Sequence, residues 1–108
     1  MVAYLSIHTQ ILKLLNMVTS ADIQDDGEYE DIVGDVHGEC SNYGQVIQVL
    51  IPRVKSGFPP SAEGLIFVEF ADVQGAVNAA ARLSGRKFDD KLVVVSYVST
   101  KEVWNRCI

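Results

Sequence analysis

A single aromatic, Phe88, stands in the polar stretch Gly85-Arg86-Lys87-Phe88-Asp89-Asp90-Lys91. Flanked by an arginine and two aspartates, it is oddly placed for a core residue. A ring in that setting can stack on another ring, and a guanidinium two residues earlier can hold a carboxylate. Suitable carboxylates lie far upstream. Asp31, Asp35 and Glu39 recur at four-residue intervals, which on a helix lines them along one ridge. Like charges so spaced repel by about 0.2–0.5 kcal/mol per pair, so the ridge gains a purpose only when a cation meets it. An acidic run alone is usually a solvated face, and a lone loop phenylalanine more often folds onto the core. The two together point to a binding site. No strained loop or nucleophile accompanies the acids, and His8 and His37 stand at neither catalytic nor metal spacing. No enzyme, cofactor or metal is therefore expected.

The 108 residues make one domain, long enough for a core without disulfide or metal staples. Hydrophobic residues supply 48% and charged residues 21%, a globular rather than disordered balance. No apolar run approaches the ~20 residues of a membrane span, so no membrane partner is expected. Residues 1–10 lack the basic start and apolar centre of a signal peptide and read as a leader or linker. The two cysteines, Cys40 and Cys107, form no Cys-x-x-Cys pair. Cys40 falls on the apolar side of a helix and reads as a buried free thiol in a reducing compartment. The net charge of −5 opposes general phosphate binding, which needs clustered Lys and Arg. Asp22, Asp25, Asp26, Glu28, Glu30, Asp31, Asp35 and Glu39 share one segment, and no Lys or Arg lies between Val18 and Gly44. Such a segment repels nucleic acid and attracts a basic partner.

The elements that must position these groups follow from periodicity. Ile11 to Val18 reads as a strand, with Leu12 and Leu14 on one face and Lys13 and Leu15 on the other. Thr19 or Ser20 can cap a short helical piece that Gly27 interrupts. The main helix runs from about Glu28 to Tyr43, with Tyr29, Ile32, Val33, Val36, Cys40 and Tyr43 as its apolar stripe and Gly44 as its C-cap. Gly34 and Gly38 weaken it by up to ~1 kcal/mol each. Gln45 to Ile51 is a second strand, 53–64 a flexible loop rich in Pro, Gly and Ser, and Leu65 to Phe70 a third strand. Asp72 caps a second helix to about Leu83, with Val73, Ala76, Val77, Ala80 and Leu83 facing inward. Lys91 to Tyr97 is the fourth strand. The tail, 99–108, reads as a short helix whose Trp104 lids the sheet.

The order β-α-β-β-α-β is the α+β, ferredoxin-like plan of RNA recognition motifs: a four-stranded antiparallel sheet with two helices on one face. The signature third strand of those motifs is Lys/Arg-Gly-Phe/Tyr-Gly/Ala-Phe-Val-x-Phe/Tyr. Glu63-Gly64-Leu65-Ile66-Phe67-Val68-Glu69-Phe70 keeps the frame. It loses the basic first position to Glu63 and the first stacking ring to Leu65, keeping only Phe67. The outward position of the first strand that usually carries a ring is Lys13. Stacking is worth ~1–3 kcal/mol per base, so most of the RNA platform is missing. RNA binding through Phe67 and Lys13 is the alternative reading.

Several segments together resemble one family. They are Leu14-Leu15-Asn16-Met17-Val18, the acidic Asp25 to Val33 segment, Glu39-Cys40-Ser41, Ile51-Pro52-Arg53, Ile66 to Phe70 and Gly85-Arg86-Lys87-Phe88. This joint pattern, from Ile11 to about Tyr97, is similar to the U2 auxiliary factor homology motif, and within it to the C-terminal domain of that factor's large subunit. The resemblance implies an RNA-recognition-like domain over 11–98 that acts as a protein–protein module in a nuclear, pre-mRNA splicing context. It implies a short ligand with basic residues before a tryptophan, held in a pocket between the two helices and under the Arg-x-Phe loop. Phe88 would stack on the tryptophan and Arg86 would pair with Glu39, with Lys87 between them. Asp31 and Asp35 would meet the ligand's cations, and Ile32 and Val36 would line the pocket. The implied partners are the branch-point-binding protein and the largest subunit of the splicing factor three b complex, which act in 3′ splice-site recognition. Little or no RNA binding is implied for this domain, although the full-length protein would bind RNA. Gly34 and Gly38 stand where the family has acids, which weakens the negative field.

Overall fold

The alternation in Leu65-Ile66-Phe67-Val68-Glu69-Phe70 produces the central strand of the molecule. Ile66, Val68 and Phe70 turn to one face and are fully buried, as period-two placement requires. The computed structural model describes residues 8–88 and 90–99, with Phe88 described by its backbone alone. The elements are β1 (Ile11–Leu15), α1 (Asp26–Cys40), β2 (Val46–Leu50), β3 (Leu65–Phe70), α2 (Val73–Leu83), β4 (Lys87–Phe88), β5 (Lys91–Leu92) and β6 (Val94–Val98). The order β2-β3-β1-β6 makes a four-stranded, fully antiparallel sheet. Both helices pack on one face, where Leu12, Leu14, Ile66, Val68 and Phe70 meet Val36, Cys40, Ala76, Ala79 and Leu83. Each large side chain so buried contributes roughly 1.5–3 kcal/mol. This is the expected α+β, ferredoxin-like architecture.

The opposite face carries a smaller apolar cluster of Ile11, Phe67 and Val98, flanked by Leu50 and Leu65. Lys13 lies directly across from Phe67 in the β1–β3 register. Upstream of β1, the Thr9 hydroxyl donates to the carbonyl of Val98 and the Phe70 amide donates to the carbonyl of Gln10. Residues 9 and 10, expected as leader, are thus bonded to the sheet. The tail helix, Trp104 and Cys107 lie outside the described residues. No helix is long and apolar enough to cross a membrane among the described residues.

Several boundaries differ from the sequence expectation. β1 ends at Leu15 rather than Val18, because Asn16 takes a positive φ of 72° and turns the chain; asparagine tolerates that region best after glycine. The first piece is a single 3₁₀ turn, Ala21–Ile23, without a side-chain cap from Ser20. α1 starts earlier than expected, at Asp26, since Asp25 caps it by accepting from the Glu28 amide at 2.9 Å. Gly27 therefore sits within the first turn rather than breaking the helix; the cap contributes about 1 kcal/mol, which offsets the glycine penalty of similar size. α1 ends at Cys40 rather than Tyr43, where the Ser41 hydroxyl donates to the His37 carbonyl at 2.7 Å, a bond that competes with helix continuation.

Gly44 is not the helix cap. It is where the chain after α1 touches α2, for a Cβ there would lie 2.6 Å from the Gly75 Cα. α2 has its expected bounds and cap, the Asp72 carboxylate accepting from the Gly75 amide at 2.9 Å. Its buried face is Gly75, Ala76, Ala79 and Leu83, while Val73 is exposed. The loop 53–64 contains two 3₁₀ turns, Val54–Ser56 and Pro60–Ala62. The expected fourth strand is divided: a short β4–β5 hairpin precedes β6. Cys40 is buried and free, and burial pushes its thiol up to about 11, with the Glu39 carboxylate adding to the effect.

Candidate functional site

The stretch after α2 is locked to the core by backbone bonds. Leu83 ends the helix fully buried, and Gly85 takes a φ of +79°, a conformation glycine adopts without steric cost. The chain then turns so that the Gly85 amide donates to the Val93 carbonyl at 3.0 Å. The Val93 amide returns a bond to the Arg86 carbonyl at 2.8 Å, and the Arg86 amide donates to Leu83 at 3.1 Å. Val93 is itself buried. Beyond Arg86, Lys87 pairs with Leu92 and Phe88 with Lys91 across the hairpin, and Asp90 takes a φ of 67° in the turn. Asn16 donates its side-chain amide to the Leu92 carbonyl at 2.8 Å, tying the hairpin to the end of β1.

Arg86 is thereby aimed at a cleft of about 330 Å³, within the usual range of ~300–1,000 Å³ for ligand pockets. Its walls come from three other places. Ile32, Asp35, Val36 and Glu39 belong to α1, Met17, Val18 and Asp22 to the β1–α1 connection, and Ile66 to β3. The side chains Met17, Val18, Ile32, Val36 and Ile66 make it apolar inside, and carboxylates stand at its edge. Of the residues singled out from the sequence, Arg86, Asp35, Glu39, Ile32 and Val36 are brought together here. Asp31 and Lys87 are exposed and outside the walls. Phe88 has its backbone two residues from Arg86, and its side chain lies outside the described part.

The resemblance implies a pocket between the two helices, whereas this cleft is lined from α1, the β1–α1 connection, β3 and Arg86. No residue of α2 lines the cleft, because the inward face of α2 is spent on the sheet and on Gly44. The connection after β1 takes its place. Met17 and Val18 are signalled only within the family-like segment Leu14 to Val18, and Asp22 only as one member of the acidic run; none of them is singled out as a site residue. Ile66 is signalled only as an inward position of β3.

Glu39 forms the hinge of the cleft's charged edge. Its Oε2 accepts the Tyr43 hydroxyl at 2.7 Å and lies 3.5 Å from Arg86 Nη2. The side chains of Arg86 and Glu39 are 43% and 38% exposed, so the pair itself contributes about 0–1 kcal/mol. The other ion pairs among the described residues gather at the start of α1. Arg53 Nη1 and Lys55 Nζ reach the same Asp26 oxygen, at 2.7 and 3.0 Å. The Arg53 guanidinium also lies 3.7 Å over the Tyr29 ring, a cation–π contact, and Tyr29 donates to the Ile51 carbonyl. Two cations of the 53–64 loop thus neutralise one end of the acidic segment. Asp31 and Asp35 take part in no ion pair among the described residues. Asp35 at the cleft edge is thus left with its charge uncompensated by any ion pair among the described residues.

Glu63 holds the connection that builds one cleft wall. It accepts from the Ser20 hydroxyl and from Gln24, and its other oxygen accepts the Val54 amide at 2.7 Å. Hydrogen bonding by Ser20 first, then by Val54, holds the Glu63 carboxyl below its ordinary range; Arg53 and Lys55 do the same for Asp26. A depressed folded-state pKa stabilises above the unfolded pKa and loses that stabilisation as pH falls through the folded one. The parent should therefore exceed Glu63→Gln in thermal midpoint at neutral pH, with the gap closing as pH falls through the ordinary glutamate range and below it. Thermal unfolding across that series checks it; a gap constant down to the acid limit contradicts it.

On the sheet's other face, Phe67 is only 7% exposed, packed with Ile11 and Val98. A ring so covered presents little surface for base stacking.

Residues 35–94 match the sequence pattern of the RNA recognition motif. The chain is 41% identical over 90 residues to a splicing factor U2af large subunit of Triticum aestivum, covering 82% of the chain and 17% of that protein. It is 39% identical over 95 residues to one of the splicing factor U2af large subunits of Nicotiana plumbaginifolia, covering 86% and 17%. It is also 38% identical over 89 residues to the serine/threonine-protein kinase Kist of Mus musculus, covering 82% and 20%. The chain thus spans a fifth or less of these relatives. The solved structure of the RNA15 RNA recognition motif superimposes with a TM-score of 0.60 at 21% identity, over 91% of this chain and 99% of that one.

Proposed function

The chain belongs to the RNA recognition motif family, and from that premise we propose that it is a protein–protein recognition module, not an enzyme, acting in pre-mRNA splicing in the nucleus. Its ligand is a short basic peptide bearing one tryptophan. The observation that carries this reading is the cleft itself. An apolar interior sized for an aromatic side chain is edged by Asp22, Asp35 and Glu39 and closed by Arg86. An indole buried there removes up to ~250 Å² from water. Phe88, two residues past Arg86, supplies the ring that stacks on it, and Lys87 extends the hairpin beside it. Asp35 and the neighbouring Asp31 meet the peptide's Lys and Arg residues. One aromatic anchor with flanking charge corresponds to roughly micromolar binding, near −8 kcal/mol. The similarity to splicing factor large subunits supports partners within the splicing machinery, with the branch-point-binding protein and the largest subunit of the splicing factor three b complex as the proposed ones.

The rival reading places RNA on the sheet through Phe67 and Lys13. The deep burial of Phe67 disfavours it. Calorimetric titration with a Lys/Arg-rich peptide containing one tryptophan, and with a single-stranded oligonucleotide, separates the two. Peptide binding without oligonucleotide binding at low salt supports the proposal. Oligonucleotide binding that disappears with Phe67→Ala, together with no peptide binding, overturns it.

Charge at the rim gives a separate expectation. Asp35 lines the cleft without an ion-pair partner among the described residues. Asp35→Lys should weaken peptide binding about tenfold at low salt and much less at about 1 M salt, because screening shortens to ~3 Å there. A loss independent of salt would instead report a disturbed fold.

A further inference from the structure

The Glu39 carboxylate that receives Arg86 is held first by another residue. We infer that Tyr43 is a positioning residue of the cleft, whose hydroxyl aims the Glu39 carboxylate and so sets where Arg86 stands. This inference rests on the reading of the cleft as a peptide site, and adds a residue that does not line it.

Both contacts fall on one atom. Glu39 Oε2 accepts the Tyr43 hydroxyl at 2.7 Å, while Arg86 Nη2 is 3.5 Å away. The first is a full hydrogen bond; the second lies beyond hydrogen-bond reach and is held by charge. Tyr43 can impose this order because four contacts fix it. Its amide donates to the Cys40 carbonyl at 3.0 Å, and its carbonyl accepts from the Asn78 side chain on α2 at 3.3 Å. The next residue, Gly44, is pressed against Gly75. Its ring packs on the edge of the main core. Glu39, by contrast, sits on a half-exposed side chain that would sample several rotamers if left to itself. A long, charge-held contact leaves the remaining guanidinium donors of Arg86 available to a bound peptide, since arginine carries five. The Tyr43 hydroxyl also lies within reach of the Arg86 guanidinium, so it bears on Arg86 both through Glu39 and directly.

The hydrogen bond to Glu39 also raises the Tyr43 phenol above its ordinary range, so the hydroxyl remains a donor at neutral pH.

Tyr43→Phe deletes the hydroxyl and keeps the ring in place. The nitrogen resonance of the Arg86 guanidinium in the free chain, read by NMR, should shift in Tyr43→Phe while the backbone amides of the core stay fixed. Affinity for the basic tryptophan peptide should fall roughly fivefold in the parent background, the size of loss usual for one intramolecular hydrogen bond. In a Glu39→Gln background the same substitution should change affinity by about twofold at most, since the route through Glu39 is then broken and only the direct contact with Arg86 remains. An unmoved Arg86 resonance overturns the inference. So does an equal loss of affinity in both backgrounds, which would mark Tyr43 as structural support only. A parent that binds no peptide while the Arg86 resonance still moves would sink the peptide-site reading and leave the positioning contact standing.

Discussion

Replacing Phe88 by alanine should lower the affinity for a basic, tryptophan-bearing peptide by roughly thirty-fold or more. Truncating a central aromatic of a small interface costs ~2 kcal/mol or more, and 1.4 kcal/mol is about tenfold. A stacked pair of rings accounts for about 0.5–1.5 kcal/mol of this beyond the surface it covers. The loss should not come from unfolding. The β4–β5 hairpin is closed by the backbone pairing of Lys87 with Leu92 and Phe88 with Lys91. Its base is fixed by the reciprocal bonds of Gly85 and Arg86 with Val93. Alanine can make all of these. Calorimetry on Phe88→Ala, with an unfolding curve as control, therefore isolates the side chain. An affinity within about twofold of the parent would rule out the clamp.

The largest stability effect is expected far from any charge. Gly44→Ala should destabilise the chain by about 3 kcal/mol, the upper end of overpacking penalties. The new Cβ would stand 2.6 Å from the Gly75 Cα and 3.4 Å from the Phe70 ring. The nearer neighbour is backbone and cannot rotate away. Gly75→Ala meets the reverse contact, at 3.2 Å from the Gly44 Cα and 3.1 Å from Phe70, and should cost less. With stabilities of about 5–15 kcal/mol for whole domains, such a loss is a large share. It should lower the thermal midpoint by about 12–24 °C. Urea unfolding checks it: the midpoint should drop with an unchanged slope. A midpoint equal to the parent's would mean that the turn after α1 yields readily, and Tyr43 would then be less firmly seated than inferred above.

The contrast between these two positions shows what can be read from the chain alone. The faces of β3 are legible, because Ile66, Val68 and Phe70 alternate with Leu65, Phe67 and Glu69, although Phe67 is buried as well on the opposite face. The Asp72 cap of α2 is legible because an aspartate at the cap position bonds its own helix. The ridge of Asp35 and Glu39 is legible from their spacing, whereas the pairing of Arg86 with Glu39 comes from the family resemblance and not from the spacing. Gly44 reads as a helix cap because local rules offer that role, whereas its real constraint is a contact with Gly75. The hairpin at 87–92 is invisible in the sequence because two-residue strands have no periodicity to detect. Periodicity does not single out Met17, Val18 and Asp22 as cleft residues, since the turn at Asn16 and the bonds to Glu63 bring them there. The inner face of α2 departs from expectation at Val73, since small residues at Gly75 and Ala79 let the helix approach closely and rotate that valine outward.

The neutralisation of Asp26 by Arg53 and Lys55 gives the charge distribution a sense that the bare count lacks. A chain of net charge −5 does not present a uniform field. Cations from the 53–64 loop neutralise Asp26 at the start of α1, while Asp31 and Asp35 are exposed and outside any ion pair among the described residues. A basic ligand is drawn to that side, and charge at a rim acts mainly on the association rate.

Chemical-shift mapping of the amide resonances during titration with a Lys/Arg-rich, single-tryptophan peptide tests the central claim most directly. Saturating shifts should cluster on Val18, Ile32, Asp35, Val36 and Arg86, and should vanish when the peptide's tryptophan is replaced by alanine. Shifts centred instead on Lys13 and Phe67 of the sheet face, or none at millimolar peptide, would contradict it.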